Sequence, residues 1–174
     1  APSSPDPPAP PWSQLSMPVY SLATAPDTTG ATVGDSASRP SMNITTYATP
    51  VTIKPTRRFA VALYTHTATA RNMLATGKGV LQVLRKQHAP LVPLLGKQSA
   101  HDVDKLEELK AAGVEITQKH GVPTIKDALC LIELEIVSLE TAGDHHLALC
   151  DVVSYDNIEG EGEALYTGDL PKVK

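Results

Sequence analysis

ALCLIELEIVSLETAGDHHLALCDVV, residues 128–153, alternates along most of its first half, turns once, and returns. Cys130, Ile132, Leu134 and Ile136 fall on one face and Glu133 and Glu135 on the other. That is the two-residue period of a strand with one buried and one wet side. Glu140-Thr141-Ala142-Gly143-Asp144 carries hairpin turn chemistry, and His146 to Val153 reads as the returning strand. A turn centred on Ala142 sets Cys150 opposite Leu134 and leaves Cys130 several residues away. The two cysteines of the chain are therefore expected to be free thiols, since a bridge needs Cα atoms within ~7 Å.

Upstream, four shorter runs have the same character: Val19–Thr24, Asn43–Ala48, Arg58–Tyr64 and Gly79–Leu84. In the third, Phe59, Val61 and Leu63 alternate with smaller partners. Two helices are expected between them. Thr67–Ala75 has good helix formers and ends before Gly77, a natural stop. Asp102–Ala112 places Val103, Leu106 and Leu109 on one stripe and ends at Gly113. A shorter helical piece at Leu84–His88 is expected to be broken by Pro90 and Pro93. Many strands, few helices and no βαβ alternation predict a mainly β, α+β fold built as an antiparallel barrel.

The remaining features set bounds. With 174 residues, 41% of them hydrophobic and 20% charged, the chain is the size of one domain with a sizeable core. Aromatics are only 4%, so Val, Leu, Ile and Ala must fill that core. A net charge of −4 gives no electrostatic reason to expect nucleic acid or an anionic membrane as partner. No apolar run approaches the roughly 20 residues that span a bilayer, and a soluble protein of a reducing compartment is expected. The start at Ala1 suits a processed form, as in a chloroplast or other organelle; otherwise the cytoplasm is expected. Six of the first eleven residues are proline, so residues 1–16 read as an extended tail whose Trp12 docks on the body, and residues 17–174 as the domain.

Several residues carry candidate chemistry. Thr65, Thr67 and Thr69 stand where a strand gives way to a helix, and Arg71 follows within a turn. Free N–H groups, the helix dipole, hydroxyls and a guanidinium can together hold a phosphate. The plainer reading is a set of N-cap threonines and a surface arginine. Asn43, Thr45 and Thr46 could face a ligand or simply form a Thr-rich edge strand. Asn43-Ile44-Thr45 is also a glycosylation sequon, a use at odds with a core strand. His145 and His146 are neighbours in a strand and point to opposite faces, so they do not chelate one ion together. No Cys/His spacing resembles a zinc site, and His66 and His88 are isolated. Arg57-Arg58 is a solvated edge or a dinucleotide phosphate contact. Lys105-Glu107-Glu108-Lys110 reads as a wet helix face.

Three segments, in order, resemble the flavin reductase-like family, whose fold is the FMN-binding split barrel. Ser41-Met42-Asn43-Ile44-Thr45-Thr46-Tyr47-Ala48-Thr49-Pro50-Val51 is similar to the strand and loop that lie along the isoalloxazine ring. Phe59 to Leu74 resembles the strand and helix that cradle the flavin phosphate. Gly143-Asp144-His145-His146 to Val153 is similar to the family's G-D-H turn and strand. The resemblance spans about residues 17–170 and departs from the pattern at Thr56, Gln82 and Cys150, where the family carries Pro, Asn and Gly. It implies FMN as cofactor, held by Asn43, Ile44, Thr45, Thr46, Thr49, Tyr64, Thr65, Thr67, Thr69 and Arg71. His145 would contact the nicotinamide or flavin. It also implies NAD(P)H as hydride donor to flavin N5 and a homodimer that completes the site. Two other readings stay open. One is a split-barrel subunit of a larger complex, with FMN vestigial and the tail as a docking arm. The other is a haem-binding split barrel using one of the paired histidines.

Overall fold

The computed structural model describes residues 8–28 and 39–171. Its main sheet has seven antiparallel strands: β1 (Tyr20–Thr24), β2 (Ser41–Thr45), β3 (Ala48–Thr52), β4 (Arg58–Tyr64), β5 (Lys78–Val83), β8 (Cys130–Ala142) and β9 (His145–Asn157). The order across the sheet is β2-β1-β5-β8-β9-β4-β3. This order dictates the curvature. β2 and β3 lie at opposite edges, yet only Thr46 and Tyr47 separate them. Three Cα–Cα steps of ~3.8 Å reach at most about 11 Å, so the two edges must curl toward each other. Short chain between distant strands makes the sheet a barrel.

A second hairpin, β6 (Ile116–Lys119) and β7 (Val122–Ile125), and three helices, α1 (Ala68–Thr76), α2 (Val92–Lys97) and α3 (Lys105–Ala111), cover the barrel. Two cores result. One packs Leu22, Val61, Leu63, Leu81, Leu134 and Cys150 with Ala70 and Met73 of α1. The other packs Val19, Ala23, Val80, Leu84 and Leu131 with Leu95 of α2, Leu109 of α3 and Val122 and Ile125 of the small hairpin. β1 and β5 send alternate residues into both, which is why every residue of β1 is buried. Gly79 admits the closest approach: a Cβ there would lie 3.1 Å from Leu22 and 3.2 Å from Met73. Gln82, the departure from the family's Asn, is fully buried and satisfied; its Oε1 accepts from Ile125 N–H at 2.7 Å and its Nε2 donates to Ser21 at 3.3 Å.

Several expectations change. The run Asn43–Ala48 is not one strand, because the chain turns at Thr46-Tyr47 to cross from one sheet edge to the other. The β8–β9 turn is the pair Gly143-Asp144, with Gly143 at φ 62°, as a two-residue hairpin with Gly first requires. With this turn and a register shift between Ile136 and Ser138, Cys150 faces Ile136 rather than Leu134, and Cys130 pairs with Asn157 and Val83; both thiols are free. Leu131, on the side read as wet, is buried beneath the outer layer. Asp104 caps α3, so Val103 lies outside that helix. Pro90 sits inside a 3-10 turn, Lys86–Leu91, and Pro93 opens α2 instead of breaking a helix, since the first turn needs no proline N–H. The β6–β7 hairpin was not anticipated. In the tail, residues 1–7 lie outside the described residues, as do residues 29–38 before β2. Trp12 is 64% exposed and does not dock; ordered contact with the body starts at Ser16 and Met17, which bond Gly168 and Thr167. No helix among the described residues is long and apolar enough to cross a membrane.

Candidate functional site

A groove of about 280 Å³ opens where β2, the end of β4, the start of α1, the end of α2 and the start of α3 meet. Its α1 wall is built by local chemistry. Thr67 is the N-cap: its Oγ1 accepts from Ala70 N–H at 3.0 Å and donates to Tyr64 O at 3.0 Å. Arg71 N–H reaches Thr67 O, so the N–H groups of Ala68 and Thr69 remain as the open pair at the helix start. Gly77 ends the helix at φ 72°, as expected. Thr69 and Ser41 share a buried hydroxyl–hydroxyl bond of 2.8 Å that pins α1 to β2.

The β2 wall presents Asn43 and Ile44. The Asn43 Oδ1 is buried and has no hydrogen-bond partner among the described residues. A buried acceptor left unmet costs about 1–3 kcal/mol. The third wall is Leu95–Ala100 and Lys105. Lys105, expected on a wet helix face, is instead buried at the first position of α3, with Asp104 Oδ1 capping Leu106 and Glu107 N–H beside it. Its Nζ donates to Leu95 O at 2.6 Å, and burial lowers its pKa to about 8.

At the mouth stand Tyr64 and His66, with ring centroids 5.5 Å apart; His145 lies 5.3 Å from Tyr64 and 5.8 Å from Tyr47. The β8–β9 turn is tied there, because Thr65 donates both its N–H and its hydroxyl to Asp144 O at 3.0 Å. Asp144 Oδ1 in turn meets His145 Nδ1 at 2.7 Å, a contact that holds the Asp144 carboxyl below its usual range.

Of the residues expected to hold a cofactor, Asn43, Ile44, Tyr64, Thr67 and Thr69 line the groove together. Thr45, Thr46, Thr49, Thr65 and Arg71 stand outside its lining. Thr45 Oγ1 accepts from Tyr47 N–H at 3.2 Å, and Thr49 is exposed with its hydroxyl 3.5 Å from Pro50 O. His146 is partly buried, with its Nδ1 unpartnered among the described residues. The whole α2–α3 wall was missed; the only signal in the sequence was Gly96 and a lysine directly after the helix cap. Arg58 is ion-paired across the sheet, its Nε donating to Asp151 Oδ1 at 2.6 Å, and its side chain stays partly exposed. Arg57 flanks a second cleft of about 300 Å³, lined mainly by apolar side chains such as Phe59, Ile132, Val152 and Tyr155. No cluster of three or more His, Cys, Asp or Glu suited to a metal occurs among the described residues.

Comparison with known proteins agrees with this architecture. The model of the flavin reductase like domain matches residues 12–172. The FMN-binding protein from Thermus thermophilus is 21% identical, with a TM-score of 0.69 over 90% of this chain and 79% of that one. The NADH:FAD oxidoreductase of Streptomyces globisporus is 16% identical, with a TM-score of 0.70 over 87% and 81%. The flavin reductase PheA2 is 20% identical, with a TM-score of 0.65 over 87% and 85%. No curated protein sequence matches the chain.

Proposed function

The chain belongs to the flavin reductase-like domain family, and from that premise we propose that it binds FMN in the α1/β2 groove and transfers hydride from NADH or NADPH to it. The observation that carries this reading is the donor and acceptor set of the groove. The open N–H pair of Ala68 and Thr69 suits a phosphate, and the orphaned Asn43 Oδ1 suits a ligand hydroxyl or ring N–H. Both belong to the segments that the family resemblance assigns to the phosphate and the ring.

The flavin would supply the two-electron acceptor; the chain would bind and orient it. The Thr67 and Thr69 hydroxyls are already spent, on the cap and on Ser41, so their segment would contribute backbone N–H groups rather than side chains. Arg71 would add positive charge beyond the groove wall. Asn43, Ile44, Thr45, Thr46 and Thr49 would lie along the ring, since β2 and its turn lead away from the groove. Tyr64 and His145 at the mouth would stack the nicotinamide.

A homodimer is part of the proposal. Val137, Leu139 and Leu147 stay 43–45% exposed on the outer half of the β8–β9 hairpin, near the exposed Tyr47 and Tyr64. A second copy covering this face with over ~1,000 Å² would also wall the flavin. The test is anaerobic titration with FMN, FAD and riboflavin, followed by NADH or NADPH. Quenching of flavin fluorescence and bleaching of its visible band are expected, from a dimer by light scattering. No quenching with any flavin would refute the reading.

A further inference from the structure

We propose that His120 is a proton-operated latch: as an imidazolium it ties the tip of the β6–β7 hairpin to β8 and β9, and loss of one proton frees the tip. The proposal does not depend on what the groove binds.

His120 and Gly121 form the turn between β6 and β7, at φ 52° and 77°. Such a turn favours Asn, Asp or Gly at its first position, and His120 is the only non-glycine residue at positive φ among the described residues. The turn itself gives no reason for an imidazole; its contacts do. The ring is 17% exposed and meets acceptors at both nitrogens. Nε2 lies 2.9 Å from Asp156 Oδ2, and Nδ1 lies 3.1 Å from Glu133 Oε2 and 3.4 Å from Ser154 Oγ. The Ser154 hydroxyl donates to Glu133 Oε2 at 2.7 Å, so its proton is already committed. Each ring nitrogen thus faces only lone pairs, and a neutral imidazole has a lone pair of its own on one of them. The arrangement is complete only when both nitrogens carry protons.

The charges around the ring agree. Glu133 faces it from β8 and Asp156 from β9, and neither has a lysine or arginine partner among the described residues. Lys119, its neighbour along the chain, is exposed. A purely structural account keeps the ring neutral. Ser154 would then turn its hydroxyl to Nδ1 and leave Glu133 beside a lone pair, with no link to pH. Histidine changes charge between about pH 5 and 8. The latched tip needs the second proton and the released tip does not, so release is favoured as pH rises. The hairpin is also joined to the groove wall, because Val122 and Ile125 share one core with Leu95 of α2 and Leu109 of α3.

The experiment is NMR of the full chain from pH 5 to 9 in wild type, His120→Asn and Glu133→Gln. It follows the ring nitrogens of His120 and the exchange protection of the Lys119 and Val122 amides, which pair across the turn. His120→Asn keeps a residue suited to the turn and removes the imidazole. The His88–Asp127 pair beyond the end of β7 is intact in all three chains and cancels in the comparison. In wild type both ring nitrogens should be protonated at the acid end. Protection, corrected for intrinsic exchange, should then fall by about 5- to 20-fold as the ring loses its proton. That range lies between an exposed ion pair and a charge-assisted hydrogen bond, with a slope of at most about tenfold per pH unit. His120→Asn should be as loose at pH 5 as wild type at pH 8, with a flat profile. Glu133→Gln, which offers Nδ1 an amide donor, should flatten most of the dependence. A ring that keeps one protonation state throughout, or the same fall in His120→Asn as in wild type, would overturn the proposal.

Discussion

Replacing Arg85 by methionine should loosen the C-terminal segment and destabilise the whole fold. The side chain is 2% exposed and its guanidinium donates only to backbone carbonyls. Nε reaches Asp127 O at 2.9 Å, Nη2 reaches Ile158 O at 2.9 Å, and Nη1 reaches Glu161 O at 2.8 Å and Gly160 O at 3.1 Å. A fifth contact, Gly162 O at 3.4 Å, is marginal. Gly160, at φ 144°, lets the backbone come this close, since a Cβ there would lie 3.2 Å from Nη2. The clamp sits where residues 163–165 pair with 84–86, through Leu165 N–H to Leu84 O and Lys86 N–H to Glu163 O, and so it secures Leu165 in the core.

Methionine keeps most of the stem and loses all four good bonds. At about 1 kcal/mol net for each the loss is about 4 kcal/mol, reduced because residues 159–163 are exposed and their carbonyls rehydrate, and because no buried cation remains. A net loss of about 2–4 kcal/mol is expected, a large share of a domain's 5–15 kcal/mol. Urea unfolding measures it as a lower midpoint at unchanged slope, and limited proteolysis should cut first within residues 158–163. A loss under about 1 kcal/mol with that segment still protected would refute the reasoning.

Lys105 should impose a pH dependence. Burial lowers its pKa from 10.5 to about 8, so between those values the unfolded chain holds a proton that the folded chain has released. Stability contributed by this group therefore rises from about pH 8 to 10.5, by at most about 3 kcal/mol, with the penalty fully present below pH 8. Unfolding curves of wild type and Lys105→Met should converge or cross over that window; parallel profiles would refute the shift. Burial pushes the Cys150 thiol up to about 12, and Cys130 is raised by the same cause, so both should resist a thiol reagent in the native protein at pH 8. Denatured without reductant, the chain should titrate two thiols; finding none would contradict the pairing of the β8–β9 hairpin.

What the sequence determined by itself was set by neighbours along the chain. The period of two in residues 130–136 reports which face of β8 meets the barrel core, because the pleat ties that face to residue parity. Thr67 and Gly77 bound α1 because a cap is satisfied within one turn. The resemblance to the family rested on short segments too, each weak alone and specific only as an ordered set.

The remainder depended on what another part of the chain covers. Helical spacing put Lys105 beside other charges and gave no sign that α2 and β2 would bury it. Leu131 looked wet until the outer layer closed over it. The register of β8 on β9 hinged on which two residues form the turn and on the shift between Ile136 and Ser138, which together moved Cys150 from Leu134 to Ile136. β6–β7 went unread because its turn, His120 at φ 52° followed by Gly121, joins strands with weak alternation and a proline, and tertiary packing against β1 and β5 makes them strands. The groove belongs to this second class. Its walls come from three segments spread between residues 41 and 105, and only the curling of the sheet, forced by two residues between its opposite edges, brings Asn43, Thr69 and Lys105 around one space.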